Sequence, residues 1–204
     1  MSTDQVALNP PLRGDGQGNY RILITGNSGT GKSTLGSDLE SLLDIPLVSL
    51  DKIFWRPGWL QTPDDEFRSA VVAVLTRSEA SWIVDGNYAR KLGTLVQDLA
   101  TDIIWLDPPL ILYFPRLCYR TVLRLLKIAP PCSPGCQEDY REVFFSKKSI
   151  LWWCLSSHRR IRAREAQLLP VEGIHVGGKR RRIGGWGREL KVWKRDVRDM
   201  VRAQ

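Results

Sequence analysis

Apolar residues follow two different patterns along this chain. Short continuous apolar runs alternate with longer segments in which apolar residues recur every three or four positions, as at Leu35, Leu39, Leu42 and Leu43. The first pattern is typical of buried strands, and the second is typical of helices that pack by one face. Together they predict strands at 21–25, 47–50, 81–84, 102–106 and 173–176, and helices at 32–43, 62–78, 89–99, 110–128, 138–168 and 188–202.

The alternation of strands with helices predicts a five-stranded parallel sheet with helices on both faces. The 204 residues suit one domain, which we place at 20–204, with a lid-like helical insertion at about 110–168. Residues 1–19 are polar and rich in Gly and Pro, so we expect a disordered leader there. Ligands of such sheets bind beyond the carboxyl ends of the strands, so candidate functional residues are expected at that edge.

Composition narrows the class of protein. Hydrophobic residues make up 43% and charged residues 25% of the chain, which excludes a wholly disordered protein and a coiled-coil rod. No run of 18 apolar residues occurs, so we expect neither a transmembrane helix nor a membrane partner. The leader lacks the basic and apolar regions of a secretory signal, and the four cysteines then favour reduced thiols and a cytoplasmic location.

The strongest chemical signal is a glycine-rich turn between the first predicted strand and the first predicted helix. Its sequence, GNSGTGKS at 26–33, fits the P-loop pattern G-x-x-x-x-G-K-[ST] in full. The glycines let backbone N–H groups surround an anion, and the helix N-terminus adds positive charge. In this pattern Lys32 reaches the β and γ phosphates of ATP, and the Ser33 hydroxyl binds Mg²⁺. The fold class is therefore a P-loop NTPase three-layer α/β fold, and the predicted nucleotide-binding residues are Gly26, Asn27, Ser28, Gly29, Thr30, Gly31, Lys32, Ser33 and Thr34.

Three aspartates, Asp51, Asp85 and Asp107, stand at the ends of predicted strands. The ends of parallel strands meet at one edge, so all three should face the bound phosphates. Phosphoryl transfer with Mg²⁺ uses one acid to hold the metal and often another to orient the acceptor. We assign Asp85 to the metal and Asp51 to the acceptor, while the prolines after Asp107 favour a turn role for it.

Two segments are more distinctive than the P-loop: DKIFWRPGW at 51–59 and WIVDGNY at 82–88. With GC at 135–136, FFS at 144–146 and HRR at 158–160, they resemble the small P-loop kinase-like proteins known as DNA topology modulation proteins or adenylate-kinase-related kinases. The resemblance covers about residues 20–176. It implies a kinase that uses ATP and Mg²⁺.

The resemblance also bears on individual residues. Asp85 and Gly86 stand where adenylate kinases carry an Asp-Gly pair that shapes the Mg²⁺ and phosphate site. The Pro-Arg that follows this pair in adenylate kinases is replaced by Asn87 and Tyr88. Asp51 resembles the aspartate of shikimate and gluconate kinases that contacts an acceptor hydroxyl.

Arginines in the predicted insertion are spaced for one helix face. Arg116, Arg120 and Arg124 recur at every fourth residue, and Arg141 lies beyond the following turn. Guanidinium groups on a closing lid neutralise a transferring phosphoryl group and help to exclude water. The alternative is a solvated basic face, which is favoured for Arg162 and Arg164. The predicted catalytic residues are Lys32, Asp51, Asp85, Arg120 and Arg124.

Several other residues leave alternatives open. Trp55 and Trp59 either stack on a substrate ring or pack their loop onto the core. Cys132 and Cys136, with Cys154 and His158, either form a zinc site or are structural thiols and a separate imidazole. The basic segment KRRR at 179–182 is a solvated loop by default, with a nucleotide-purine contact, a nucleic-acid patch or a localisation signal as alternatives.

Charge supplies a rival function. Residues 151–204 carry 14 Lys and Arg against 5 Asp and Glu, within a chain whose net charge is +8. Such a bias is typical of proteins that bind nucleic acid or phosphate-rich ligands. The leading hypothesis is an ATP-dependent phosphotransferase with a small acceptor, and its partners are ATP and that acceptor. The alternative is an ATP-binding or ATP-hydrolysing regulatory protein that contacts nucleic acid through its basic C-terminal region.

Overall fold

The computed structural model describes residues 10–78, 80–146 and 149–203. The strands are β1 (Arg21–Gly26), β2 (Leu47–Ser49), β3 (Trp55–Arg56), β4 (Leu60–Gln61), β5 (Trp82–Asp85), β6 (Asp102–Asp107) and β7 (Arg180–Gly184). The helices are α1 (Lys32–Leu43), α2 (Leu50–Phe54), α3 (Asp64–Arg77), α4 (Ala89–Leu92), α5 (Leu95–Leu99), α6 (Leu110–Leu125), α7 (Tyr140–Phe145), α8 (Ile150–Glu172) and α9 (Arg188–Arg202).

Five strands form one parallel sheet in the order β2-β5-β1-β6-β7, while β3 and β4 form a separate antiparallel hairpin. Side chains of the central strand β1 alternate between two apolar clusters. Leu23 packs with Phe67 and Val71 of α3, whereas Ile22 and Ile24 pack with α1 and α9. Both faces of the sheet are therefore covered by helices, which confirms the predicted fold class. No described helix is long and apolar enough to span a bilayer.

The fifth strand is not where the apolar pattern placed it. Residues 174–176 form a single 3₁₀ turn, and β7 is built from 180–184 instead. Three of its five residues are arginines, so it lacks the apolar run that identifies the other strands. Arg180 is fully buried because it pairs with Glu165 at 2.6 Å. The prediction of a strand at 173–176 and of a solvated loop at 179–182 is wrong for this reason.

The leader is also more ordered than expected over its described part. Leu12 is buried, and the backbone N–H groups of Arg13 and Gly14 donate to the carboxylate of Asp102 at 2.7 and 3.0 Å. Trp193 of α9 donates its indole N–H to the carbonyl of Pro11 at 2.9 Å. Residues 11–14 therefore pack against the domain, which differs from the disordered leader expected at 1–19, and residues 1–9 lie outside the described residues.

Several other element boundaries also differ from the sequence prediction. The helix predicted at 89–99 is interrupted at Gly93 and Thr94, giving α4 and α5. The helix predicted at 138–168 is divided into α7 and α8. Strand β2 ends at Ser49, so Asp51 lies in the first turn of the short helix α2 rather than at a strand end.

Candidate active site

The P-loop joins β1 to α1 at the centre of the sheet. Gly26 has a φ of 146°, and a Cβ there would lie 2.7 Å from the carbonyl oxygen of Leu106. Only glycine can therefore bring β1 this close to β6. Gly31, the residue before α1, is exposed, and no atom lies within 4 Å of the position its Cβ would take. The sequence thus builds a backbone cradle whose mouth is open at the helix N-terminus, where anions are favoured.

Asn27 fastens this loop to the rest of the protein. Its side-chain N–H₂ donates to the phenol oxygen of Tyr113 and to the carbonyl of Cys154, both at 2.9 Å. Its side-chain oxygen accepts from the backbone N–H of Ser28 at 2.8 Å. These contacts tie the loop to α6 and α8, and the Tyr113 hydroxyl continues to His158 Nδ1 at 2.8 Å.

Lys32 and Ser33 follow at the start of α1. The Lys32 ammonium donates to the carbonyl oxygen of Asn27 at 3.0 Å. It therefore lies against the same loop in which phosphate would bind. The Ser33 hydroxyl donates to Asp85 Oδ2 at 2.5 Å. The two side chains expected to hold Mg²⁺ are therefore in direct contact. Thr34 is exposed in the same helix turn.

Asp85 is suited to a cation. Asp85 is 4% exposed, and its Oδ1 is buried without a hydrogen-bond partner among the described residues. Burial raises the pKa of Asp85, while Lys32 and the Ser33 hydroxyl act in the opposite direction. A carboxylate oxygen and a hydroxyl suit Mg²⁺, which takes most of its other ligands from water and phosphate. The residues present fit the ion.

Asp51 lies at the same edge. Its Oδ1 accepts a hydrogen bond from the Tyr88 hydroxyl at 2.6 Å, and its Oδ2 is 3.7 Å from the Cys132 thiol. Its charge also raises the pKa of Asp85, which places the two carboxylates within electrostatic reach of each other. Cys132 belongs to the turn after α6, so that turn covers the Asp51 side of the site.

Helix α6 brings Arg120 to these carboxylates. Its Nε is buried without a hydrogen-bond partner among the described residues. Burial and the neighbouring Arg124 lower the pKa of Arg120, while Asp51 and Cys132 act in the opposite direction. Arg124 lies 3.8 Å from the half-buried Glu138, whose own pKa is raised by burial. The other predicted lid arginines, Arg116 and Arg141, are exposed.

Asp107 ends β6 but differs from Asp85. Its Oδ2 accepts from Arg182 Nε at 2.8 Å and lies 3.2 Å from Arg162 Nε. The Arg182 guanidinium also lies 5.4 Å from the centre of the Trp105 ring. The carboxylate of Asp107 is therefore bound by two arginines.

The other basic residues of 179–182 are also engaged with the protein. Lys179 donates to the backbone carbonyls of Gln97, Asp98 and Ala100 at the end of α5, where positive charge is favoured. Arg180 pairs with Glu165 and Glu172 of α8, and Arg181 donates to the Pro10 carbonyl. This segment is a structural strand rather than a solvated loop.

Residues 55–61, which include Trp55 and Trp59, form the hairpin of β3 and β4. Trp55 and Trp59 contact each other edge to face, with ring centroids 5.4 Å apart. Four hydrogen bonds join residues 55–59 to the turn at 133–137. They are Ser133 Oγ to Trp55 O (2.9 Å), Gly58 N to Gly135 O (3.0 Å), Cys136 Sγ to Arg56 O (3.2 Å) and Trp59 Nε1 to Gln137 O (2.7 Å).

The four residues considered for zinc have separate partners. Cys132 contacts Asp51 and Cys136 donates to Arg56, whereas Cys154 and His158 contact the P-loop and Tyr113. Within the described ranges no group of three or more His, Cys, Asp or Glu side chains is arranged to hold a metal. The arrangement therefore favours separate structural roles over a shared zinc site.

Sequence reasoning missed two residues of the site. Tyr88 lies in the distinctive segment at 82–88, but nothing in the pattern indicated that its hydroxyl would reach Asp51, 37 positions away. Tyr113 has the spacing of an ordinary buried residue of α6, and its contact with Asn27 spans 86 positions. Both contacts depend on the tertiary fold.

Comparisons with known proteins support the fold. No protein-family model matches the chain, and no curated protein matches its sequence. The structure resembles that of a candidate kinase from Chloroflexus aurantiacus J-10-fl, with a TM-score of 0.52 and 19% identity over 92% of this chain and 98% of that chain. It also resembles shikimate kinase from Bacteroides thetaiotaomicron, with a TM-score of 0.51 and 15% identity over 90% of this chain and 98% of that chain. At these identities the similarity supports a shared fold, and the suggested kinship with DNA topology modulation proteins stays a prediction.

Proposed function

We propose that the protein is an ATP-dependent phosphotransferase that moves the γ-phosphoryl group of ATP to a hydroxyl or phosphate oxygen of a small acceptor. The observation that carries the proposal is the arrangement at the carboxyl edge of the sheet. The P-loop and Asp85 are joined by the bond from Ser33, and the second carboxylate, Asp51, follows two residues after Ser49, which pairs with Asp85 in the sheet. A nucleotide cradle alone needs no second carboxylate, whereas transfer to an acceptor uses one.

On the donor side, backbone N–H groups of residues 26–33 would surround the β-phosphate, and Lys32 would move from the Asn27 carbonyl to the β and γ phosphates. Ser33 and Asp85 would hold Mg²⁺. When bound, the ion would neutralise part of the negative charge of the phosphates. Asn27 keeps the cradle in place through its contacts with α6 and α8.

On the acceptor side, Asp51 would accept a hydrogen bond from the attacking hydroxyl and orient its oxygen towards the γ-phosphorus. Arg120 would offer the N–H group that lacks a partner to the transferring phosphoryl group. Buried donors of this kind are effective because few water molecules compete with them. Arg124 would act more weakly, because Glu138 already offsets part of its charge.

The regulatory, nucleic-acid-binding alternative has less support. Its main sequence argument was the positive charge of residues 151–204, and the four basic side chains at 179–182 within that region bind protein groups. Basic residues of α8 and α9 stay exposed, including Arg159, Arg160 and Arg198. An exposed basic face is common in proteins that bind no nucleic acid. The cytoplasmic location stays a prediction.

The test is ATP consumption against an acceptor panel of nucleoside monophosphates, nucleosides, sugar acids and shikimate-like polyols, with Mg²⁺ present. We expect one class to raise turnover well above slow hydrolysis to water. The variant Lys32→Ala should lower that turnover by about 100-fold or more, because it removes a charge that stabilises the transition state. Lys127→Ala, an exposed lysine beyond α6, is the matched control and should retain activity.

Two outcomes would contradict the proposal. One is near-normal turnover by Lys32→Ala, since the P-loop would then not bind the reacting phosphates. The other is a panel in which no acceptor raises ATP consumption above the rate in water.

A further inference from the structure

The side chain of Tyr88 is held in one orientation. Its ring packs against Phe54 and Phe67, with centroids 4.9 and 5.2 Å away. Its hydroxyl lies 2.6 Å from Asp51 Oδ1. The two phenylalanine rings also contact each other, and a ring packed into such a cluster cannot turn away easily, so the Tyr88 hydroxyl is a fixed point beside the carboxylate.

The direction of this hydrogen bond follows from the surroundings of the phenol. Burial is the largest cause that raises the pKa of Tyr88 far above its usual value, and the negative charge of Asp51 acts in the same direction. The phenol therefore keeps its proton at physiological pH. Since the hydroxyl carries the proton, Tyr88 donates and Asp51 Oδ1 accepts.

The two oxygens of Asp51 consequently differ. Oδ1 is occupied by a strong, short hydrogen bond. Oδ2 contacts the Cys132 thiol at 3.7 Å, and a thiol is a weak donor. Burial raises the pKa of this thiol to about 11, so it stays neutral and does not repel the carboxylate. An acceptor hydroxyl can replace such a partner at little cost in free energy.

We propose that Tyr88 is a positioning residue, which holds Asp51 by Oδ1 so that Oδ2 presents its lone pairs to the acceptor hydroxyl. The inference rests on the proposed function and adds to it the residue that sets the geometry of acceptor activation. Tyr88 itself touches no reacting atom in this role. Its contribution comes from restricting rotation of a carboxylate that must be aligned for transfer.

The experiment uses the full chain and the most active acceptor found in the panel. Tyr88→Phe keeps the ring and removes only the hydroxyl. We expect acceptor-dependent kcat to fall by about 10-fold or more, because a misaligned catalytic group loses part of its advantage in orientation. ATP affinity and slow hydrolysis to water should change by less than about 2-fold. Tyr119→Phe, which removes a phenol hydroxyl from an exposed position of α6, is the matched control and should behave as the unmodified chain.

A double variant separates positioning from a merely structural role. If Tyr88 acts through Asp51, adding Tyr88→Phe to Asp51→Asn should lower kcat no further, so the two effects are not additive. Additive effects, or equal losses in ATP binding and acceptor turnover, would overturn the inference. So would full activity of Tyr88→Phe on an acceptor whose phosphorylation requires Lys32. Absence of any Lys32-dependent acceptor turnover would overturn the proposed function as well.

Discussion

Asp85 and Asp107 hold equivalent places on the two strands that flank β1, yet their surroundings are opposite. Asp85 has one oxygen on Ser33 and another without a partner, whereas Asp107 is occupied by Arg182 and Arg162. Both aspartates could be placed at the site from the sequence, since each follows an apolar run. The choice between metal binding and structural pairing depends on arginines that are remote in sequence and that no local pattern reveals.

The contrast gives a paired prediction. Asp85→Asn should raise the Mg²⁺ concentration needed for half-maximal turnover by about 10-fold or more, because an amide replaces the anionic ligand. ATP binding should weaken less. Asp107→Asn should leave the Mg²⁺ requirement unchanged and lower thermal stability instead. Turnover measured against Mg²⁺ concentration checks both, and an unchanged requirement in Asp85→Asn would make Asp85 a structural residue.

Asp51 carries a separate prediction about the acceptor. Asp51→Asn should bind ATP with normal affinity and keep slow hydrolysis to water, but lose acceptor-dependent turnover by about 100-fold. The reason is that its carboxylate contacts Tyr88 and Cys132 rather than the P-loop. ATP affinity and ATP consumption are compared with and without the acceptor. An equal loss of ATP binding would place Asp51 on the donor side.

Among the elements, β7 and α8 show what an apolar pattern cannot reveal. Strands β1, β5 and β6 were predicted within a residue or two because both of their faces are apolar. Strand β7 has arginines at three positions, and its burial depends on Glu165 and Glu172 of α8. Pairing of charges between a strand and a separate helix arises only in the folded chain, so no local sequence pattern reveals it. The same charge pairs anchor α8, the last helix of the predicted insertion, to the sheet through β7.

The buried pair predicts a change in stability. Arg180→Met should lower the free energy of unfolding by about 3 kcal/mol, because Glu165 then keeps a buried charge with less compensation. Arg164, at 2.7 Å from Glu165, limits the loss. The double variant Arg180→Met with Glu165→Leu should recover much of it, since no buried charge is left unpaired. Urea unfolding of both variants is the measurement, and equal stability of the single variant and the unmodified chain would contradict the prediction.

At the scale of the whole molecule, the net charge of +8 affects how readily the protein associates with charged partners. It does not by itself define a function. The chain should bind random duplex DNA only weakly, with a steep loss between 50 and 200 mM salt at roughly the slope expected of phosphate contacts. Adding ATP should not change this binding. Fluorescence anisotropy of labelled duplex against salt checks it, and binding that resists salt and responds to ATP would favour the regulatory alternative.

The hydrogen bonds between the hairpin residues 55–59 and the turn at 133–137 affect how the binding of one substrate influences the binding of the other. Because these two segments are joined, a movement of the turn, which covers the Asp51 side of the site, would also carry the hairpin with Trp55 and Trp59. We therefore expect the two substrates to bind with positive synergy, each tightening the other by the same factor, as linkage requires. Titrating ATP with and without acceptor would measure this factor. Trp59→Phe, which removes the indole N–H bonded to Gln137, should reduce it.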